Sequence, residues 1–567
     1  MDSFVYMWNI DTFWNRVLTF HNPFITNRIF YPIGVNLVFH TYGVLPSILG
    51  VFFLNNLVLY MNLLIVTGLT LSALACFILV RYLTDDSTIA FVSGLIYGFS
   101  PIMISYVLSQ HYYFVVAAPF LPLGLLMVFR FFDSLKTRYL VYTLLLFWMV
   151  FFTDYYTTIL FILILSMATV VLIFQSYLRR RELFYRIFEK GRLTGYVTTV
   201  LLTLVLPLVL MFVFVFPLGE LKTRAFGSQV YYSGFCNTNL VGFLIPSGFN
   251  PLLKGFSSSL KALFGLGKGY QGGAFFDTPS YFLGWGILVI AVISFLTNYK
   301  DRYAFIAGFF GVVVSLLSLG TVIRFGEREI LTQELTPFYW LSHLPFLGMI
   351  DCPIRFPIGT ELSIAMLVGI LIYGVKTKRV LSGFILGFVL ILFCFEYGTW
   401  NMPLWRVSVP SVYEQIAKNP DNYTVLELPS GITESKGSFG YDGSIWALHS
   451  KQMYWQTIHR RPRLGGYVSR VPSGIYEFYR SEPVISDLFK MTSFNGVWSN
   501  RSYSKEDTLR FLDRFNIGYI VLSPNKRQGE FMSVVEGLFG DYIVKEEGKE
   551  GYILYKLRRN PHLESSR

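Results

Sequence analysis

The sequence predicts a polytopic α-helical membrane protein in which a helical bundle is followed by a small soluble α/β domain. Three observations predict it. Of 567 residues, 53% are hydrophobic and only 14% are charged, where an ordinary soluble domain carries about 25% charge. Apolar runs close to the length of a membrane span, about 20 residues, recur between residues 55 and 397. Beyond residue 397 short strand-like runs alternate with polar, helix-compatible stretches.

Ten runs qualify as spans: 55–80, 88–108, 112–131, 139–153, 156–175, 194–216, 280–297, 303–320, 358–375 and 380–397. The apolar segment 42–54 is short and interrupted by Pro46, and reads as re-entrant or as the outer end of the first span. Orientation follows from the positive-inside bias. Arg81, then Arg130, Lys136 and Arg138, the arginine-rich stretch 179–192, Lys300 with Arg302, and Lys376 with Lys378 and Arg379 all fall in alternate short connections. That side is the cytoplasm of a cell-membrane protein. Residues 1–54, the long loops 217–279 and 321–357 and the domain 398–567 are then expected outside, with 55–397 as the bundle. A chain that starts outside at Met1 without a hydrophobic leader suggests either a preceding span or a first span acting as a reverse anchor.

The carboxy-terminal domain contains strand-like Tyr423–Leu428 and Ile517–Leu522 and a helix-compatible stretch at 505–515, a pattern of a small α/β fold. The net charge of +12 is explained by cytoplasmic loops, and no basic, aromatic-interleaved soluble module points to nucleic acid. Of the four cysteines, Cys76 and Cys394 lie in apolar runs. Cys236 and Cys352 lie in outer loops, and spacing alone leaves their pairing open. Walker, G-x-S-x-G and H-E-x-x-H motifs are missing from the sequence, which disfavours the ATPases and hydrolases that depend on them.

The outer segments hold the candidate chemistry. Trp8, Phe13, Trp14 and Phe20 recur at helical spacing, as in an amphipathic helix at the membrane interface. Asp2 and Asp11 are the acidic residues of this first loop. Asp154, followed by Tyr155, stands between two apolar runs; it reads as a carboxylate facing a watery cavity or as a helix N-cap. His111 reads as a proton shuttle or as an interfacial hydrogen-bonding group. Arg355, between Pro353 and Pro357, suits a bidentate grip on a lipid phosphate, or is an arginine that snorkels to the interface. Arg324 and Arg328 lie in the same loop.

Several landmarks together resemble a group of prokaryotic membrane proteins related to GT-C glycosyltransferases. They are Asp2, Trp8-Asn9, Asn22–Thr26, Phe30–Leu37 (FYPIGVNL) and His40-Thr41, then Gly94–Pro101, Gln110-His111, Leu121–Leu123, Asp154–Tyr156 and Pro353–Phe356. Leu426–Pro429, Tyr454–Thr457, Gly465–Tyr467 and Ser469-Arg470 extend the likeness into the tail. The resemblance implies a GT-C-like bundle. It also implies transfer of a sugar, by inverting single displacement, from a polyprenyl-phosphate donor to a glycan, lipid or protein acceptor on the extracytoplasmic face. On that basis Asp2 occupies the family's base position, Asp154 the second outer acid and Arg355 the donor-phosphate contact. Asp11 and His111 are further catalytic candidates, and Arg324, Arg328, Trp8, His40 and Tyr155 are expected around the substrate. A divalent cation such as Mg or Mn is left open. The competing readings are a transporter or flippase for a lipid-linked sugar, for which Glu361 inside the ninth span is the residue to watch, and a non-catalytic relative in surface-polymer assembly.

Overall fold

The structure is a computed structural model. It describes residues 2–38, 40–179, 181–209, 236–266, 280–344, 347, 350, 352–376, 379–400, 402–404, 406–434, 437–439, 443–492, 496, 498 and 501–558. The end of the expected sixth span, 210–216, most of the loop 217–279 and Asp351 lie outside the described residues.

The chain divides into two compact units, one of Leu59–Leu404 and one of Met1–Val58 with Trp405–Arg567. The first is helical. Among the described residues, seven helices are long and apolar enough to cross a membrane: Leu57–Thr84, Ser87–Leu108, Tyr112–Ser134, Tyr155–Leu178, Lys190–Val209, Pro353–Gly374 and Val380–Tyr397. The runs expected at 139–153, 280–297 and 303–320 are shorter apolar helices, Thr137–Phe151, Trp285–Asn298 and Arg302–Ser318. Local signals set their ends. Asp86 caps one helix by accepting from the Thr88 and Ile89 N–H groups, and Asp301 does the same for Tyr303 and Ala304. Such caps satisfy first-turn donors that have no partner inside the helix.

Pro353–Gly374 is the innermost span, with 89% of its apolar window buried. Its helical part packs on Arg302–Ser318, Trp285–Asn298 and Ser87–Gly98. A helix apolar on every side belongs in such a position. The approach is close because small residues line it: a Cβ on Gly369 would strike Ser93 and Val80, and one on Gly311 would strike Ser363. Hydroxyls then bridge the helices, with Ser363 Oγ donating to the Ala307 carbonyl at 2.6 Å and Ser294 Oγ to the Leu367 carbonyl at 2.5 Å. Small residues and hydroxyl bridges are how spans associate when lipid removes the hydrophobic drive between them.

The second unit is built from both ends of the chain. A four-stranded sheet runs in the order Ile543–Glu547, Ile553–Leu557, Ile517–Leu522, Thr424–Leu428. The last pair is parallel and the others antiparallel. Both expected strands are present, and the helix Lys505–Arg514 starts at a Ser504–Asp507 capping box.

The amino-terminal helix, Asp2–Leu18, departs from expectation. Of its aromatic stripe, Trp8 and Phe13 are buried, Trp14 is partly buried, and Phe20, beyond the end of the helix, is exposed. Val5, Trp8 and Phe13 join Leu426, Leu428 and Met453 in one apolar core. The same 3.6-residue periodicity serves a protein core and an interface equally, and here the core takes it. The apolar segment 42–54 likewise separates from the first span: Val44–Leu49 packs on the first helix, where Trp14 Nε1 donates to the Ser47 carbonyl at 2.6 Å.

Among the described residues of this second unit three histidines are buried. Burial pushes His40 and His449 down to about 3, and drives His459 well below its usual range. The unfolded chain takes up these protons near pH 6.5, so folding stability is full above that value and is lost as the pH falls. At pH 5 the loss amounts to roughly 2 kcal/mol for each of His40 and His449, and His459 adds to it in the same direction. Acid titration of the full chain in detergent, followed by tryptophan fluorescence, is expected to show cooperative loss of this unit between about pH 6 and pH 4. A signal flat across that range contradicts the neutral-histidine assignment.

Candidate functional site

In the membrane unit Asp154 terminates one helix and begins the next. Its N–H donates to the Val150 carbonyl at 2.8 Å, and its Oδ2 accepts from the Thr157 N–H at 2.6 Å. It is therefore an N-cap, as one reading of the sequence allowed. Only one oxygen is used. Oδ1 is buried and has no hydrogen-bond partner, and the residue is 2% exposed. Burial raises the carboxyl above its ordinary range, while the Thr157 N–H and the charge of Arg355 pull the other way.

Arg355 is held from several directions. It closes the short turn Pro353–Arg355, whose prolines on either side restrict the backbone. Its carbonyl accepts from Tyr106 Oη at 2.7 Å. The neighbouring Ile354 N–H donates to the Cys236 carbonyl at 3.0 Å, and a disulfide joins Cys236 to Cys352. The guanidinium carbon lies 4.4 Å from the Phe114 ring centre and 4.2 Å from that of Tyr156. Both are cation–π distances. Among the described residues no carboxylate comes within ion-pair distance of it. A cation fixed between two rings, with its N–H groups not used by a carboxylate, stands within electrostatic reach of a carboxylate oxygen that has no donor.

His111 flanks this group. Its Nδ1 lies 2.8 Å from Ser109 Oγ, and its ring meets Phe114 edge-on at 5.8 Å. Tyr155, the expected substrate contact, turns to Phe151 at 5.1 Å instead. Its neighbour Tyr156 carries the contact with Arg355, because successive helix positions are turned by about 100°. Tyr106 and Phe114 were not singled out by the sequence, and Tyr156 entered only within the Asp154–Tyr156 landmark; an aromatic residue in an aromatic-rich span carries no distinguishing signal. Of the remaining arginines, Arg324 is taken up by Glu329 at 2.7 Å within a two-stranded hairpin, and Arg328 is exposed on the opposite strand.

The other candidates lie in the second unit and serve its packing. Trp8 is fully buried, and its Nε1 donates to Gln456 Oε1 at 2.6 Å. Asp11 pairs with Arg28 at 2.6 Å, both largely buried. His40 Nδ1 accepts from the Ser469 N–H at 3.0 Å, which leaves Nε2–H to donate to Asn9 Oδ1 at 3.1 Å. This neutral tautomer agrees with its depressed pKa. Asp2, in the first turn of its helix, raises the His40 pKa slightly against the larger effect of burial. Trp8, His40 and Asp11 are thus committed to structure rather than presented to a substrate.

Among the described residues no three histidine, cysteine or acidic side chains converge as a metal site would need. No protein-family model matches the chain, and no curated protein matches its sequence.

Replacing Asp11 by Ala leaves the buried Arg28 without its carboxylate and is expected to destabilise the protein by about 3 kcal/mol. Thermal unfolding in detergent measures this. An unchanged midpoint would mean that Asp11 is not structural.

Proposed function

We propose that this chain is a GT-C-type membrane glycosyltransferase that moves a sugar from a polyprenyl-phosphate donor to an acceptor on the extracytoplasmic face. The observation that carries the reading is that Arg355, held between Phe114 and Tyr156, stands within electrostatic reach of Asp154, whose Oδ1 has no hydrogen-bond partner. A planar guanidinium can donate to two phosphate oxygens at once. A buried carboxyl raised above its ordinary range is a better base near neutral pH than an exposed one.

In the reaction the acceptor hydroxyl oxygen bonds to the anomeric carbon as the bond from that carbon to the donor phosphate oxygen breaks. The hydroxyl proton passes to Asp154 Oδ1. The departing lipid phosphate keeps the electron pair, and Arg355 offsets its charge. A single displacement inverts the anomeric centre. The resemblance puts the family's base at Asp2; the free oxygen and the nearby cation favour Asp154 for that role here.

Two features support the face. The short connections rich in lysine and arginine read as cytoplasmic, and the Cys236–Cys352 disulfide ties the Arg355 turn into a loop suited to an oxidising compartment.

The test is transfer of labelled sugar from a polyprenyl-phosphate donor in membranes containing the protein. Asp154→Asn is expected to lower kcat by about 10²–10⁴-fold. Arg355→Ala is expected to raise the donor KM, with Arg355→Lys restoring part of the loss. Full activity in Asp154→Asn would sink the assignment of the base, and wild-type donor KM in Arg355→Ala that of the phosphate contact.

A further inference from the structure

Glu361 lies in the second turn of the helix Pro357–Gly374 and is fully buried. Its Oε2 is 3.0 Å from Tyr397 Oη, which is itself 2.8 Å from the Leu283 carbonyl oxygen. Its Oε1 is buried with no hydrogen-bond partner. A carbonyl oxygen only accepts, and a phenol has a single proton to give. If Glu361 were ionised it too could only accept. Tyr397 would then face two acceptors with one proton, and a buried anion would hold at most one donor.

One proton placement satisfies both contacts. Protonated Glu361 donates to Tyr397 Oη, and Tyr397 donates to the Leu283 carbonyl. The surroundings agree with a neutral group. The helices Ser87–Gly98 and Trp285–Asn298, packed on this span, contain no basic residue. Arg302, at the start of Arg302–Ser318, is paired with Asp133 at 2.6 Å. Arg355 is held between Phe114 and Tyr156. Glu396, next to Tyr397, turns its carboxylate to the Gly286 and Ile287 N–H groups at 2.7 and 3.3 Å. An unpaired charge inside a span is costly.

We infer that Glu361 is held as a neutral carboxylic acid and acts as a hydrogen-bond donor, the first link of a relay through Tyr397 to the Leu283 carbonyl. The relay joins three parts of the membrane unit: the span that begins beside Arg355, the π-helical turn Phe393–Tyr397, and the residue pair leading into Trp285–Asn298. Asn250 fastens the same turn by donating to the Phe395 and Glu396 carbonyls at 2.8 and 3.1 Å. π-Turns are rare and depend on such outside partners. Glu361 is thus a positioning residue, and the inference does not depend on the transferase reading.

The test combines infrared spectroscopy with thermal unfolding of the full chain in detergent. The difference spectrum between wild type and Glu361→Gln is expected to contain the carbonyl stretch of a protonated carboxyl, unchanged from about pH 6 to about pH 9, where a free glutamate is ionised. Glu361→Gln keeps a donor at this position and is expected to hold the wild-type unfolding midpoint. Glu361→Leu and Tyr397→Phe, which break the relay, are expected to lower it by several degrees. Absence of the protonated band at pH 7, or a Gln variant as damaged as the Leu variant, would overturn the inference.

Discussion

The membrane unit depends on one helix being acceptable to its neighbours on all sides. Pro357–Gly374 has no polar face to leave in solvent, and its glycines and serines allow other helices to come close enough to exchange hydroxyl hydrogen bonds. Lipid tails are as apolar as leucine, so burying leucine against leucine gains little there. Close packing and satisfied polar groups have to hold the helices together. The same helix carries both features of chemical interest, with Arg355 just before its start and Glu361 in its second turn. Fixing this helix fixes both.

A constraint of another kind organises the second unit. Segments more than 400 residues apart in sequence complete one core: Trp8 donates to Gln456, and the Arg463 N–H donates to the Arg28 carbonyl at 2.9 Å. Charged groups buried in this core are paired, Arg28 with Asp11 and Arg463 with Glu427, each at 2.6 Å. Removing one partner would leave the other charge in a poorly solvating medium, which costs more than the pair itself contributes. The histidines solve the same problem by giving up their charge. His40 does so with its tautomer set by Ser469 on one side and Asn9 on the other.

Asp154 uses only part of its side chain in its structural role. A carboxylate has two oxygens, and a helix N-cap needs one. The cap aims the group, and the second oxygen is left without a hydrogen-bond partner. Arg355 is arranged in a similar way. Its backbone is bound by Tyr106 and by the disulfide-linked turn, and its guanidinium rests on aromatic faces, which position a cation without using up its N–H donors.

The sequence by itself determined where the apolar helices lie to within a few residues, seven of them of span length among the described residues, because length and hydropathy are local properties that need no partner. It also determined the strands at Thr424–Leu428 and Ile517–Leu522, and that Asp154 and Arg355 merited attention as charges at span ends. Only the tertiary structure decided which of the candidate side chains are taken up by partners within the fold. Asp11, Trp8 and His40 looked available in the sequence, but their partners Arg28, Gln456 and Ser469 are chosen by folding. An amphipathic stripe states only that one face avoids water, and not whether lipid or protein covers it. That is why the helix Asp2–Leu18 read as interfacial and proved to be core. Tyr156 rather than Tyr155 meets Arg355 for a related reason: which face of a helix meets a distant turn is set by packing between elements, and no local pattern records it.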